Sequence, residues 1–222
     1  MKFKLLLTIL LISSITDAQQ ETLVKPLGIG KVKLQIEDII YSKTIKQYEL
    51  EFFEKEDCLN SSNKVEFKWN KNGLGYMEVL NSDFIKIKDW HVEEPYFIVN
   101  FICLEKNSKG YKIIVNEETN ESRWIKKSPK MEFQPWSDFL RNLYCVEQID
   151  INSNPLLNKV NGKPINKEKQ CWKVLKISEE WILVNNQTDE PLPNNEKPLK
   201  EIKGWIKWRN KNGLLIDYYL VY

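Results

Sequence analysis

Histidine, the side chain that most often transfers protons near neutral pH, occurs once in this chain of 222 residues, as His91. A serine or cysteine nucleophile of the hydrolase type needs an imidazole to take its proton. Neither residue type occupies a recognisable nucleophile turn here, and Cys58 is the one cysteine that precedes His91. We therefore expect His91 to be an exposed loop residue, and we expect no catalytic residues.

Acidic side chains gather beside aromatic ones in one segment, where a glycosidase or metal site would be sought. The group comprises Asp83, Asp89, Glu93 and Glu94, with Trp90 next to it. A glycosidase needs two carboxyl groups in one cleft, one of them with a raised pKa. A calcium loop needs alternating acids, and that pattern is missing. Acidic loops with aromatic neighbours are common, so we expect no metal site and no cofactor.

The chain has four cysteines: Cys58, Cys103, Cys145 and Cys171. No two of them form a CxxC motif, which disfavours zinc binding and thioredoxin-like chemistry. In an oxidising compartment they could form two disulfides, with three possible connectivities. Alternatively they are small buried hydrophobic residues, since Cys103 and Cys171 lie in apolar runs. The sequence leaves both interpretations open.

The N-terminus is typical of a secretory signal peptide spanning residues 1–18. A basic start, Met1 to Lys4, precedes the apolar run Leu5 to Ile12, and the small residue Ala18 closes the segment. The run is far shorter than the ~20 apolar residues of a membrane-spanning helix. We expect cleavage after Ala18, a periplasmic or secreted location, and no stable membrane span.

The charge balance bears on the class of partner. The chain has 33 Lys+Arg and 31 Asp+Glu, a formal net charge of +2, and 42% of its residues are hydrophobic. These values are typical of a globular protein. Since no strongly positive field is present, nucleic acid is not an expected partner.

Aromatic residues are the better candidates for binding. Trp124, Trp181 and Trp205 occupy strand positions shared with Ile and Val, which predicts core packing. Trp208 lies three residues beyond Trp205 and so faces the other way. We predict a binding group of exposed aromatics, which can stack on sugars or anchor a protein partner: Trp208, Tyr218, Tyr219 and Trp90. Alternatively, Trp208 packs against another β unit. The lysines at 126, 127 and 130 could face anionic glycans or simply be solvated.

The elements that must position these residues are mostly strands. Apolar and charged residues alternate at 48–52, 65–69 and 85–88, which indicates half-buried strands. The run Tyr96 to Leu104 is nearly all apolar and predicts a central strand. One segment, Pro135 to Cys145, has apolar residues at helical spacing after a proline. These patterns together predict an antiparallel all-β fold with one short helix.

Two parts of the chain resemble each other. An aromatic-led strand, a polar loop and a Trp-Ile-Lys strand occur at 110–127 and again at 180–208. Asn-Gly hairpins also recur, at 72–73 and 212–213, although their order differs, which we interpret as a strand insertion in the first unit. We predict two β units, 19–134 and 147–222, joined by a linker helix at 135–146. The long loop from Gln187 to Lys203 is expected at the surface.

The stretch Trp181 to Val184, then Gly204-Trp205-Ile206, then Leu214 to Tyr219, resembles a bacterial SH3-like (SH3b) domain. The resemblance covers about the last 70 residues and extends weakly to 31–127. It implies a small five-stranded barrel that serves as a ligand-binding or spacer module outside the cytoplasm, and it implies no catalytic residues. Together with the internal repeat, it predicts two SH3-like barrel units in tandem, joined by the one short helix.

These features together predict a non-enzymatic exported binding module whose partner is cell-wall peptidoglycan (glycopeptide) or an exported protein. The alternative is an inhibitor or immunity-type protein that blocks a secreted enzyme through the Gln187–Lys203 loop.

Overall fold

The computed structural model describes residues 27–35, 47–70, 76–91, 98–166, 168–186 and 201–220. The signal peptide predicted at 1–18 and residues 187–200 of the long loop lie outside these ranges. Among the described residues, no helix has both the length and the apolar character that crossing a membrane requires.

The first part of the chain forms one nine-stranded antiparallel sheet, which we call the N-terminal unit. Its strand order is β4-β3-β2-β8-β7-β6-β1-β9, with β5 pairing to β6. The strands are β1 (Gly30–Leu34), β2 (Gln47–Phe53), β3 (Ser61–Asn70), β4 (Tyr76–Leu80), β5 (Trp90–His91), β6 (Ile98–Lys106), β7 (Gly110–Asn116), β8 (Glu121–Lys126) and β9 (Met131–Pro135).

The remainder, the C-terminal unit, starts with helix α1 (Trp136–Arg141). A five-stranded sheet has the order β12-β11-β15-β14-β13, and β10 pairs with β18 and β16 with β17. The strands are β10 (Cys145–Gln148), β11 (Leu156–Leu157), β12 (Pro164–Asn166), β13 (Lys173–Ser178), β14 (Trp181–Asn185), β15 (Lys203–Lys207), β16 (Arg209–Asn210), β17 (Gly213–Leu214) and β18 (Ile216–Tyr219).

The all-β class with one short helix is therefore confirmed within the described residues. The helix is shorter than the predicted 135–146 segment, because Asn142 ends it and β10 begins at Cys145. Strand β6 lies between β7 and β1, so the apolar run at 96–104 does contain a central strand. The two halves as independent domains stay a prediction.

Each unit has its own hydrophobic core. In the N-terminal core, residues of alternate strand positions such as Val32, Phe52 and Phe101 are fully buried. The C-terminal core combines one face of α1 with Trp172, Ile182 and Ile206. The chain passes from one core to the other at α1.

Trp181 and Trp205 do not line this core, so that prediction is wrong. Their neighbours Ile182 and Ile206 are the buried residues, and both indoles are half-buried on the opposite face of the sheet. Alternation shows which residues share a face, but both faces of these strands carry apolar side chains. The prediction for Trp124 is confirmed, since it is buried against Phe53 and Cys58.

The cysteines divide between the two interpretations. Cys145 and Cys171 form a disulfide within the C-terminal unit, with their Cα atoms 5.5 Å apart. Cys58 and Cys103 are free and buried in the N-terminal unit. A second disulfide is not formed, and Cys103 is the buried apolar residue that its surroundings indicate.

Candidate functional site

A buried lysine joins the two units. Lys31 on β1 is completely inaccessible to solvent, because its side chain lies on the face of the sheet opposite to Val32 and towards the C-terminal unit. Its Nζ donates to Asp89 Oδ2 at 3.0 Å and to the Tyr218 hydroxyl at 2.9 Å. The Tyr218 hydroxyl in turn donates to Asp89 Oδ2 at 2.9 Å. We call Lys31, Asp89 and Tyr218 the junction triad.

Aromatic rings surround the lysine ammonium. Its Nζ lies 5.2 Å from the ring centroid of Tyr218, 5.4 Å from that of Phe139 and 5.6 Å from that of Trp136. Such rings attract a cation that has lost its water. Burial, together with the Asp89 carboxylate, raises the pKa of Tyr218, which therefore stays a neutral donor.

Helix α1 supplies two of these rings because of its sequence. Pro135 stands at the N-cap, and the helix directs Trp136, Phe139 and Leu140 inward. The indole Nε1 of Trp136 donates to the carbonyl of Leu27 at 2.9 Å. The segment just before β1 is thereby attached to the C-terminal unit.

Beside the junction triad, a cleft of about 360 Å³ opens between the two units. The N-terminal unit contributes Leu27 and Ile102, and the C-terminal unit contributes Ile149, Leu214 and Ile216. Ile149 is 55% exposed although it is a large apolar side chain. The cleft is thus an apolar recess open to solvent, with Tyr218 in its wall.

Charged groups stand around this recess. Lys88 Nζ lies 3.3 Å from Asp217 Oδ1, and this exposed ion pair spans the two units. The backbone N–H of Lys88 donates to Glu117 Oε1 at 3.0 Å. An apolar recess with charges of both signs can hold an apolar side chain of a ligand and orient the polar groups next to it.

Of the four predicted binding aromatics, Tyr218 lies in the cleft wall, but its exposure was predicted wrongly, since it is 5% exposed. Trp208 is also buried, at 2% exposure. Its Nε1 donates to the Glu179 carbonyl at 2.8 Å, and its ring lies 5.8 Å from that of Trp136. Trp205 lies on the outer face of the C-terminal sheet. Trp208 points to the opposite face and therefore belongs to the C-terminal core.

The other two predicted residues are separate from the cleft. Trp90 is half-buried and packs on the N-terminal core, with ring centroids 6.0 Å from Phe67 and 6.1 Å from Phe101. Tyr219 is 42% exposed, and its hydroxyl donates to Glu147 Oε2 at 3.3 Å. The structure therefore does not bring the four aromatics into one patch.

The residues considered for catalysis are also dispersed. His91 is exposed on β5, and Asp83 is exposed while Asp89 is paired with Lys31. Glu93 and Glu94 lie outside the described residues. Burial raises the pKa of the Cys103 thiol to about 12 and also raises that of Cys58, which makes both weak nucleophiles.

The described residues contain no group of three or more His, Cys, Asp or Glu side chains that could hold a metal ion. Sequence reasoning missed Lys31 and Lys88. The alternation of residues in Gly30–Leu34 indicates that Lys31 faces away from the N-terminal core, and a side chain in that position is normally exposed to solvent. No local sequence signal shows that the C-terminal unit covers it. Comparison of the chain with models of protein families, with curated proteins and with solved structures finds no match.

Proposed function

We propose that the protein is a non-enzymatic exported binding protein, whose cleft between the two units takes a short peptide with an apolar side chain. The peptide belongs either to cell-wall glycopeptide or to an exported protein partner. The single observation that carries the proposal is the apolar recess between the units with Lys88 and Asp217 at its edge. The signal peptide at 1–18 supplies the periplasmic or secreted location.

The composition of the recess supports a peptide. Leu27, Ile102 and Ile149 offer apolar surface for a side chain, and burying that side chain is the main source of affinity. Lys88, Glu117 and Asp217 offer partners for a carboxylate, an ammonium or a peptide N–H. A volume near 360 Å³ is at the lower end of the usual range for small-ligand sites.

The proposal includes an SH3-like fold. In the C-terminal unit it is supported by the five short strands of one sheet and by the Trp-Ile strands β14 and β15. The nine-stranded sheet of the N-terminal unit agrees with it only if that unit carries a strand insertion.

The test compares two sources of peptide. The mature chain is sedimented with insoluble peptidoglycan and, separately, used to capture proteins from an exported fraction. We expect binding in one of these arms, and we expect Ile149→Glu to weaken it about tenfold or more, since an unpaired charge enters the recess. Ile149 is largely exposed, so this change should not impair folding.

Leu59→Glu is the matched control, because Leu59 is a 74% exposed apolar residue of the N-terminal unit that does not line the cleft. Binding that both variants weaken equally, or that neither variant changes, would contradict the proposal. Absence of binding in both arms would do the same.

A further inference from the structure

A second surface lies on the outer face of the C-terminal sheet. The ladder pairs Leu183 of β14 with Trp205 of β15, and Trp205 with Leu157 of β11. Trp181 lies two residues from Leu183 and so shares its face. None of these side chains belongs to the C-terminal core, and Trp181, Leu183 and Trp205 are half-buried. We call Leu157, Trp181, Leu183 and Trp205 the Trp face.

Lysines surround the Trp face. The pairing places Lys176 opposite Leu183 and Lys207 opposite Trp181. Lys173 and Lys203 both lie opposite Asn185, one on each neighbouring strand. Among the described residues, Glu180 forms an ion pair with Lys207 at 2.8 Å and so offsets the charge of that lysine. The surface is therefore apolar at its centre and positive at its margin.

The side chain of Asn185 places a hydrogen-bond acceptor without a donor next to the Trp face. It lies on the same face as Leu183, is 8% exposed, and its Oδ1 has no hydrogen-bond partner among the described residues. A buried amide oxygen left without a donor is energetically unfavourable. Because the Oδ1 atom is itself inaccessible to solvent, a hydroxyl group of a bound ligand supplies that donor only when the Asn185 side chain turns outward.

We infer that the Trp face is a second binding surface, whose ligand is an anionic polysaccharide. Sugar rings present apolar C–H faces that stack on indoles, and their hydroxyls can donate to Asn185. Carboxylate or sulfate groups on the chain match the lysines at the margin. An acidic protein would match the lysines too, but it would not provide flat rings with hydroxyls. This goes beyond the proposed function, since no residue of the Trp face lines the cleft.

The test titrates the mature chain with four polymers of similar length at low salt. Polygalacturonate provides carboxylates, heparin provides sulfates, dextran is neutral, and poly-L-glutamate is an acidic polypeptide. We expect polygalacturonate or heparin to bind and dextran and poly-L-glutamate to bind at least tenfold more weakly. Indole fluorescence should change on binding, since two tryptophans lie on the surface.

Three variants locate the site. We expect Trp205→Ala to weaken binding about tenfold, as loss of an aromatic anchor does. The double variant Lys176→Glu/Lys203→Glu should weaken it as much or more, and it changes exposed side chains that do not contribute to the core. Lys126→Glu/Lys127→Glu makes the same charge change on exposed residues of the N-terminal unit and should have no effect. Thermal unfolding of each variant reports whether it is folded.

The inference is wrong if neither anionic polysaccharide binds, or if poly-L-glutamate binds equally well, which would indicate an acidic protein partner. It is also wrong if Trp205→Ala leaves binding unchanged while the lysine variant removes it, since that result indicates charge attraction alone. Equal weakening by Lys126→Glu/Lys127→Glu would place the site elsewhere. Ile149→Glu should leave polysaccharide binding intact, which separates failure here from failure of the peptide cleft.

Discussion

Burial, more than residue type, decides which side chains of this protein can meet a ligand. Lys31 is charged yet completely buried, whereas Ile149 is apolar and 55% exposed. The prediction that Trp205 and Trp208 lie on opposite faces is confirmed. However, Trp208 is the buried residue and Trp205 lies on the outer face, the reverse of what we predicted. That choice depends on which face the rest of the fold covers, and a local pattern with apolar residues on both faces cannot supply it.

The raised pKa of Tyr218 predicts a loss of stability at high pH. An unfolded tyrosine ionises near pH 10, whereas in the folded protein burial and Asp89 keep Tyr218 protonated. The unfolded state then binds fewer protons than the folded state, so the free energy of unfolding falls as pH rises above about 10. Tyr218 contributes up to about 1.4 kcal/mol per pH unit to this fall.

Urea unfolding of the wild type and of Tyr218→Phe between pH 8 and pH 11.5 measures this contribution. Below pH 10 the wild type should be the more stable protein, since the phenylalanine leaves Lys31 and Asp89 one partner short. The difference should shrink as the pH rises. Curves that stay parallel through this range would show that Tyr218 ionises normally.

At the scale of elements, periodicity predicts long strands well and short ones poorly. The alternating segments at 48–52 and 65–69 lie in β2 and β3. Strand β16 pairs with β17 around the predicted hairpin at 212–213, and β3 pairs with β4, while the predicted turn at 72–73 lies outside the described residues. Two-residue strands such as β5 and β11 contain too few residues to show a period. The segment at 85–88 alternates but forms no strand; Lys86 makes a single bridge to Asn116.

Strand β15 requires a glycine where it meets β11. A Cβ at Gly204 would lie 2.7 Å from the Leu157 carbonyl oxygen and 2.7 Å from Leu156 Cγ. We expect Gly204→Ala to lower the free energy of unfolding by about 1–3 kcal/mol, the usual cost of overpacking. Lys203→Ala, one residue earlier and exposed, should change it by less than about 0.5 kcal/mol. Equal effects in chemical denaturation would contradict this packing argument.

At the scale of the whole molecule, the sequence predicts two β units joined by a linker helix at 135–146. The buried residues of the N-terminal core precede α1, and the buried residues of α1 belong to the C-terminal core. The way the units meet is not predictable from the sequence. Lys31 is 58 residues from Asp89 and 187 residues from Tyr218, and neither partner has a recognisable spacing relative to it. Contacts of that kind depend on tertiary structure alone.

The junction triad contains a buried ion pair whose loss should be costly. Lys31→Ala leaves the buried Asp89 without its cation, and removing one partner of a buried ion pair costs about 3–5 kcal/mol. We expect urea unfolding of this variant, followed by circular dichroism, to show that loss. The double variant Lys31→Met/Asp89→Asn should lose less, because no buried charge remains unpaired. A double variant as unstable as Lys31→Ala would show that packing, not charge pairing, dominates at the junction.

The order of the elements along the chain has a consequence for biosynthesis. All described strands of the nine-stranded sheet precede residue 136, so the pairing of this sheet needs no later residue of the chain. The C-terminal half must wait for its last strand, β18, to pair with β10, and its cysteine bridge cannot close before residue 171 has emerged. Lys31 and Asp89 share Tyr218 of this last strand as a hydrogen-bond partner, so the buried pair is complete only when the end of the chain is in place.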